Sequence, residues 1–387
     1  MPAASSSPIT PIDASSDPVA LVPREILAAF ALVPDPRLAQ GKRHALVGVL
    51  ALAGMAVIAG ARSVAAIGAW SQDVGAQALA GLGLGGTPAS LATFHRVLRA
   101  LDGERFDAIV YAWTRLRFTC AGGRRVIAAD GKTVRGAKNA DGHAPHLLSA
   151  FDHATGVTIG QVEVGAKTNE IPLLADLLAP IDITGAVITV DALHTQTKTA
   201  EHIVGRGAHY VMTVKANQPG LHARLKAMPW AKVPVLASAL DTSRGRRTRR
   251  TLKALEAGRL GFPHAAQVIQ VRRTTTAGTG KKSVEVVYLI CDLDMAQAPP
   301  AVVATWVRGH WGIENRSHWV RDVSFGEDAS QVRTGPAPRV MSTLRNLAIS
   351  LLRAAGETNI AAATRRHHRD WRRTVQLLLN PSQPRTT

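Results

Sequence analysis

The chain has 387 residues, is 46% hydrophobic and carries a formal charge of +18. A hydrophobic fraction of that size excludes wholesale disorder, and the length allows two or three domains, each with its own core. Two cysteines, Cys120 and Cys291, exclude a disulfide framework and a zinc ribbon, and the N-terminus has no basic-then-apolar order of a signal peptide, so a cytoplasmic protein is expected. The charge is uneven: residues 201–282 hold sixteen Lys and Arg against three acids, densest at Arg244, Arg246, Arg247, Arg249 and Arg250. An isolated basic run reads as a solvated loop, but a skew over a whole segment points to nucleic-acid phosphate. Membrane lipid is the competing anion, and no lipidation motif or basic amphipathic helix supports it.

In chain order, residues 1–21 are Ser, Pro and Ala-rich and read as a disordered tail. Residues 22–118 read as a helical domain, with helices over Val22–Leu32, Ala45–Ala61, Ser63–Trp70, Thr87–Leu101 and Phe106–Phe118. Ala45–Ala61 is apolar but short for a bilayer and rich in Ala and Gly, which suits a helix packed among helices. Gly81-Leu-Gly-Leu-Gly-Gly86 matches a dinucleotide-binding pattern by letter only. It follows a helical segment and precedes Thr87-Pro88, so it reads as a flexible linker. From Arg124 the texture changes to a mixed α/β core, residues 124–215, with strands at Val126–Ala129, His146–Phe151, Val157–Val164, Ala186–Val190 and Tyr210–Lys215 and helices at Glu170–Leu178 and Lys198–Arg206. Residues 216–300 form a basic, β-rich insertion with strands at Ala266–Arg272 and Ser283–Cys291. The core resumes over 301–356 with helices Val302–Arg321 and Met341–Ala355, and 357–387 reads as a basic tail.

Asp130 and Asp191 each end a buried apolar strand. A carboxylate so placed either caps the following turn or projects from the sheet edge, where a metal ion relieves its repulsion with a second carboxylate. On a helix, Glu314, His318 and Arg321 share a face through their spacing. His310 and His318 stand about 12 Å apart on such a helix, too far to share one ion. Oxygen ligands of this kind suit Mg²⁺ or Mn²⁺.

The chain resembles the insertion-sequence transposases of the ISAs type, also called H-repeat-associated proteins, within the DDE superfamily. Phe30-Ala-Leu-Val-Pro-Asp-Pro-Arg37, Gly41-Lys-Arg-His44 and Gly60-Ala-Arg-Ser63 resemble the family's N-terminal region. Ala129-Asp-Gly-Lys-Thr-Val-Arg-Gly136, Lys167-Thr-Asn-Glu-Ile171, Val190-Asp-Ala-Leu-His-Thr-Gln196 and Val214-Lys-Ala-Asn-Gln-Pro219 resemble its core blocks, and Arg308–Gly335 resembles the block that supplies its glutamate. The resemblance implies an RNase H-like fold with Asp130, Asp191 and Glu314 as a metal-binding catalytic triad for two Mg²⁺ ions, Mn²⁺ substituting. It implies cleavage of the element's terminal repeats and joining to target DNA, by a homodimer. Lys132, Arg135, Lys215, Arg246, Arg247, Arg249, Arg250 and Arg321 are then expected on DNA, with Asn315 and His318 orienting the DNA or the Glu314 carboxylate. One departure is Gly245-Arg246-Arg247-Thr248, where the family often carries an acid. A non-transposing nuclease and a catalytically silent DNA-binding descendant of a transposase are the rival readings, and residues 22–118 serve either end recognition or dimerisation.

Overall fold

A computed structural model describes residues 25–118, 123–139, 141–165, 168–243 and 245–380. The expected tail 1–21, Cys120, Lys167, Arg244 and residues 381–387 lie outside the described residues. The N-terminal region comprises α1 (Ile26–Ala31), α2 (Leu46–Ile58), α3 (Val64–Ser71), α4 (Ala76–Gly81), α5 (Leu91–Ala100) and α6 (Gly103–Arg117). Ser63, Ser90 and Asp102 start α3, α5 and α6 by accepting hydrogen bonds from backbone N–H groups of the first turn. Every α2 residue except Val47 is buried, so the helix is apolar all round because neighbours cover it all round. No described helix is long and apolar enough to cross a membrane.

The glycine-rich segment after α4 differs from the flexible linker expected. Gly83, Gly85 and Gly86 take positive φ, and Leu82 and Leu84 are buried. The turn presses so closely on α2 that a Cβ at Gly48 would stand 2.3 Å from the Leu82 carbonyl oxygen. It follows a helix rather than a strand, so it lacks the setting of a phosphate-binding loop.

The Val, Ile and Ala runs form the centre of one nine-stranded mixed sheet. Its first half is β1 (Val126–Thr133), β2 (His146–Asp152), β3 (Thr158–Val164), β4 (Val187–Val190) and β5 (His209–Val214), in the order β3-β2-β1-β4-β5. β2 is antiparallel to both of its neighbours, β1 and β3, whereas β4 and β5 run parallel to β1. Helices α7 (Glu170–Leu178) and α8 (Thr197–Gly205) make the two crossovers. This is the RNase H-like core.

The segment after β5 continues the same sheet. Following α9 (Pro219–Lys226), strands β6 (Ala237–Ser243), β7 (Arg246–Glu256), β8 (Gln267–Ala277) and β9 (Lys282–Cys291) add to it, β9 pairing with β5 and β6 forming the far edge. The basic run is therefore strand rather than loop. Strand alternation divides it: Arg250 lies with Leu252 on one face, and Arg247 and Arg249 lie on the other.

The expected helix Val302–Arg321 is interrupted. It runs as α10 (Pro300–Ile313), a π-helical turn over Glu314–His318, and α11 (Trp319–Val323). Then α12 (Ala337–Ala354) packs on both α2 and α6, and one continuous apolar core runs from the N-terminal helices into the sheet. Asp107 of α6 is paired with Arg339 of α12 at 2.7 Å and bonded by Gln161 of β3 at 3.2 Å, stitching these layers together. Residues 357–387 were expected as a tail. Instead α13 (Ile360–Arg369) and α14 (Trp371–Leu379) return to α2 and bury Ile360, Ala363 and Leu378, an apolar spacing hidden among the arginines.

Candidate active site

The parallel pairing of β1 with β4 sets Ala129 beside Val190. The next residues, Asp130 and Asp191, are therefore neighbours at one edge of the sheet, on strands about 4.8 Å apart. β1 does not stop at Asp130, as the sequence suggested. It continues to Thr133 through pairing with β2, so the aspartate sits where the sheet loses its parallel partner. Asp191 caps the following turn, its Oδ1 accepting from the Leu193 and His194 N–H groups at 3.0 and 3.4 Å, and its strand is paired beside that of Asp130.

Glu314 reaches this edge from the end of α10. Asp130, Glu314 and His318 bring one ligand atom each within 4.8 Å of one another. His318 Nδ1 lies 3.2 Å from Glu314 Oε2 and 3.6 Å from Asp130 Oδ2. Burial, followed by the charges of Asp191 and Glu314, pushes the Asp130 carboxyl up to about 7. Two carboxylates and one imidazole brought this close form a donor set that fits a divalent metal; Asp191, at the end of the neighbouring strand, is not within the same 4.8 Å group. The π turn explains why Arg321 does not share this face. One extra residue in the turn rotates the next side chains about the helix axis by about 100°, and Arg321 turns into the core, where Glu327 accepts from its Nε at 2.8 Å. Its guanidinium is spent there, so it is not available to DNA.

Lys132 is likewise committed: it is 8% exposed and its ammonium lies 2.7 Å from Asp322 and 3.3 Å from Asp328. His318 is buried and meets carboxylates rather than solvent. Asn315 is exposed, its amide donating to the Trp311 carbonyl at 2.9 Å. Arg135, Lys215, Arg246, Arg247 and Arg249 are exposed.

A groove of about 610 Å³ leads from Asp130, Asp191 and Glu314 across the sheet beneath α10. Lys215, Arg250, Arg273 and Arg308 line it, and the guanidiniums of Arg250 and Arg273 lie 5.6 and 5.1 Å from the Trp311 ring centre. Arg273, Arg308 and Trp311 are not evident as a group in the sequence because Arg273 comes from β8 and the other two from α10. A further group beside Asp130 is equally hidden: Glu170 binds His146 at 2.6 Å and His194 at 3.1 Å. Glu170 and His194 do stand within the family-like blocks, His194 only three residues past Asp191.

A mixed sheet that gathers acidic side chains where two parallel strands end, with a helix supplying one more, defines the class of DDE cores. The family described as "Transposase DDE domain" matches residues 121–351, and the DDE_Tnp_1-associated family matches residues 27–114. The chain belongs to the DDE transposase family. It is 32% identical over 356 residues to "Putative transposase YncI" of Escherichia coli O157:H7, covering 85% of this chain and 87% of that one. It is 28% identical over 353 residues to "H repeat-associated putative transposase YhhI" of Escherichia coli strain K12, covering 85% and 90%. Among solved structures it is similar to a piggyBac transposase synaptic complex with hairpin DNA, with TM-score 0.43 and 14% identity over 96% of this chain and 84% of that one. Family membership implies use of a divalent metal.

Proposed function

We propose that this protein cuts DNA at the ends of an insertion sequence and joins the freed ends to target DNA, with Asp130, Asp191 and Glu314 holding two divalent cations, Mg²⁺ with Mn²⁺ as a substitute. The observation that carries this reading is geometric: Asp130, Glu314 and His318 bring ligand atoms within 4.8 Å of one another, and Asp191 follows the strand paired beside Asp130. Divalent ions held there would supply an activated nucleophile and stabilise the leaving oxyanion. The protein's part is to fix the ligands. Asp130 and Asp191 are set by the β1–β4 register, and His318 keeps the Glu314 carboxylate turned toward Asp130. Lys215, Arg250 and Arg308, with Arg273 paired to Glu285 in the same groove, give a DNA strand leaving these carboxylates a path of net positive charge. Arg135 and Asn315 are exposed and free to meet the duplex outside the groove.

Glu314→Gln tests this. It is expected to abolish Mg²⁺-dependent cleavage of DNA carrying the element's ends while leaving binding to that DNA intact. Cleavage retained by the variant overturns the assignment, and cleavage without strand joining by the native protein reduces it to a nuclease. Both ends must be cut in one assembly, so light scattering with end DNA is expected to give two copies of the chain.

A further inference from the structure

Glu170 starts α7, yet its carboxylate turns inward over Gly131, the residue after Asp130. A Cβ on Gly131 would stand 2.4 Å from Glu170 Oε1, so only glycine permits this approach. Oε1 accepts from His146 Nε2 at 2.6 Å and Oε2 from His194 Nε2 at 3.1 Å. His146 lies opposite Thr133 across the β1–β2 pair and its Nδ1 meets the Thr133 hydroxyl at 2.7 Å. His194 is 1% exposed and belongs to the turn whose N–H groups hold Asp191. One carboxylate thus ties together the strand that carries Asp130, its hairpin partner, and the turn that carries Asp191.

We propose that Glu170 is a positioning residue that sets the spacing of Asp130 and Asp191 and thereby the affinity for divalent cation. This rests on the reading of those aspartates as metal-holding. Glu170 is not itself a ligand here, since imidazoles occupy both of its oxygens. It acts as the orienting partners around metal ligands do, whose loss costs about 10–100-fold in metal affinity.

The test is Mn²⁺ titration of the full-length protein without DNA, followed by electron paramagnetic resonance, which reads binding and not turnover. Glu170→Ala, which removes both arms, is expected to weaken Mn²⁺ binding by about 10–100-fold. Glu170→Gln keeps the size and one acceptor and is expected to fall between it and the native protein. Cleavage by either variant should recover at higher Mn²⁺, a change in the metal requirement rather than in the saturated rate. If Glu170→Ala does not fold, Glu170→Gln and Gly131→Ala, which pushes the intact carboxylate aside, carry the test. Native Mn²⁺ affinity in the folded variants overturns the proposal, as does a lowered melting temperature with unchanged affinity. Asp130→Asn separates the two layers. Native Mn²⁺ affinity in that variant overturns the metal reading beneath, whereas its loss beside native affinity in the Glu170 variants overturns only the positioning role.

Discussion

Glu314 and Glu327 stand in the same sequence block and meet different surroundings: the Glu314 side chain is 63% exposed and Glu327 is sealed in the core. Glu327 is wholly buried between Arg321 and Arg345, at 2.7 and 3.0 Å, and despite the cost of burial these two guanidiniums hold its carboxyl down at about 2. Arg345 also donates to the Arg62 carbonyl at 3.3 Å, so this closed set of charges joins the glutamate block to the N-terminal helices. At the sheet edge, Asp130, Asp191 and Glu314 stand together without an arginine in their midst; burial first, and then the neighbouring acids, pushes Asp130 up to about 7, while the hydrogen bond from the His318 imidazole holds Glu314 below its usual range. The contrast separates two uses of acid. Where countercharge is built in, the acid serves the fold; where it is withheld, the site is left to take a cation.

The largest effect expected from breaking this contrast is on activity. Glu314→Gln or Asp130→Asn should lower cleavage of end-containing DNA on the order of 10⁴-fold, the scale reached when one member of a catalytic unit is lost, with no loss of melting temperature. Glu327→Ala should do the reverse. It leaves two arginines buried without their partner, a cost of about 3–5 kcal/mol, so chemical denaturation should report severe destabilisation.

How much of this is legible in the sequence depends on the range of the forces involved. Asp130 and Asp191 are readable because each closes a run of Val, Ile and Ala, and burial of such runs is a local property of the chain. The π turn at Glu314–His318 is not, since nothing in the side-chain spacing of Arg308–Asp322 marks an inserted residue. β7 is hidden because Arg and Thr occupy both faces of its first half, and β6 because it is mostly Ala, Ser, Asp and Thr, so neither shows the alternation that marks a half-buried strand. The Glu170 clamp joins residues 24 apart on either side, from three elements, and no periodicity announces such a meeting. The helices α13 and α14 are masked by charge, although Ile360, Ala363 and Leu378 have the spacing to face inward.

The comparison can be sharpened by pH. An acid whose carboxyl is raised in the fold contributes stability that is full below its ordinary value of 3.8 and lost as pH rises through about 7. Native protein without metal should therefore melt below Asp130→Asn at pH 8, and the gap should close as pH falls. Comparing the two proteins cancels Asp107, which burial pushes up to about 6, and His153 and His310, which burial pushes down to about 4. Mn²⁺ should raise the melting temperature of the native protein at pH 8, and less at pH 6, where protons compete for Asp130. Glu327 should contribute nothing over this range, because its stabilisation is full above its ordinary value of 4.5 and lost only as pH falls toward about 2. Equal melting of native protein and Asp130→Asn at both pH values would remove the claim that the sheet edge holds unbalanced charge.

The smallest effect concerns the basic strands, where the same distinction applies with the sign reversed. Arg250 and Arg273 flank Trp311 in the groove that begins at the carboxylates, whereas Arg247 and Arg249 point from the opposite face of β7. If the groove carries the DNA strand, Arg250→Ala and Arg273→Ala should each weaken end binding and reduce the slope of log affinity against log salt by about 1. Arg247→Ala and Arg249→Ala should leave that slope nearly unchanged, since a cation facing away from the carboxylates releases no counterion from the bound strand. Electrophoretic binding assays over a salt series measure all four. Equal slopes for the two pairs would mean that DNA contacts both faces of the extended sheet and that the groove is not its sole path.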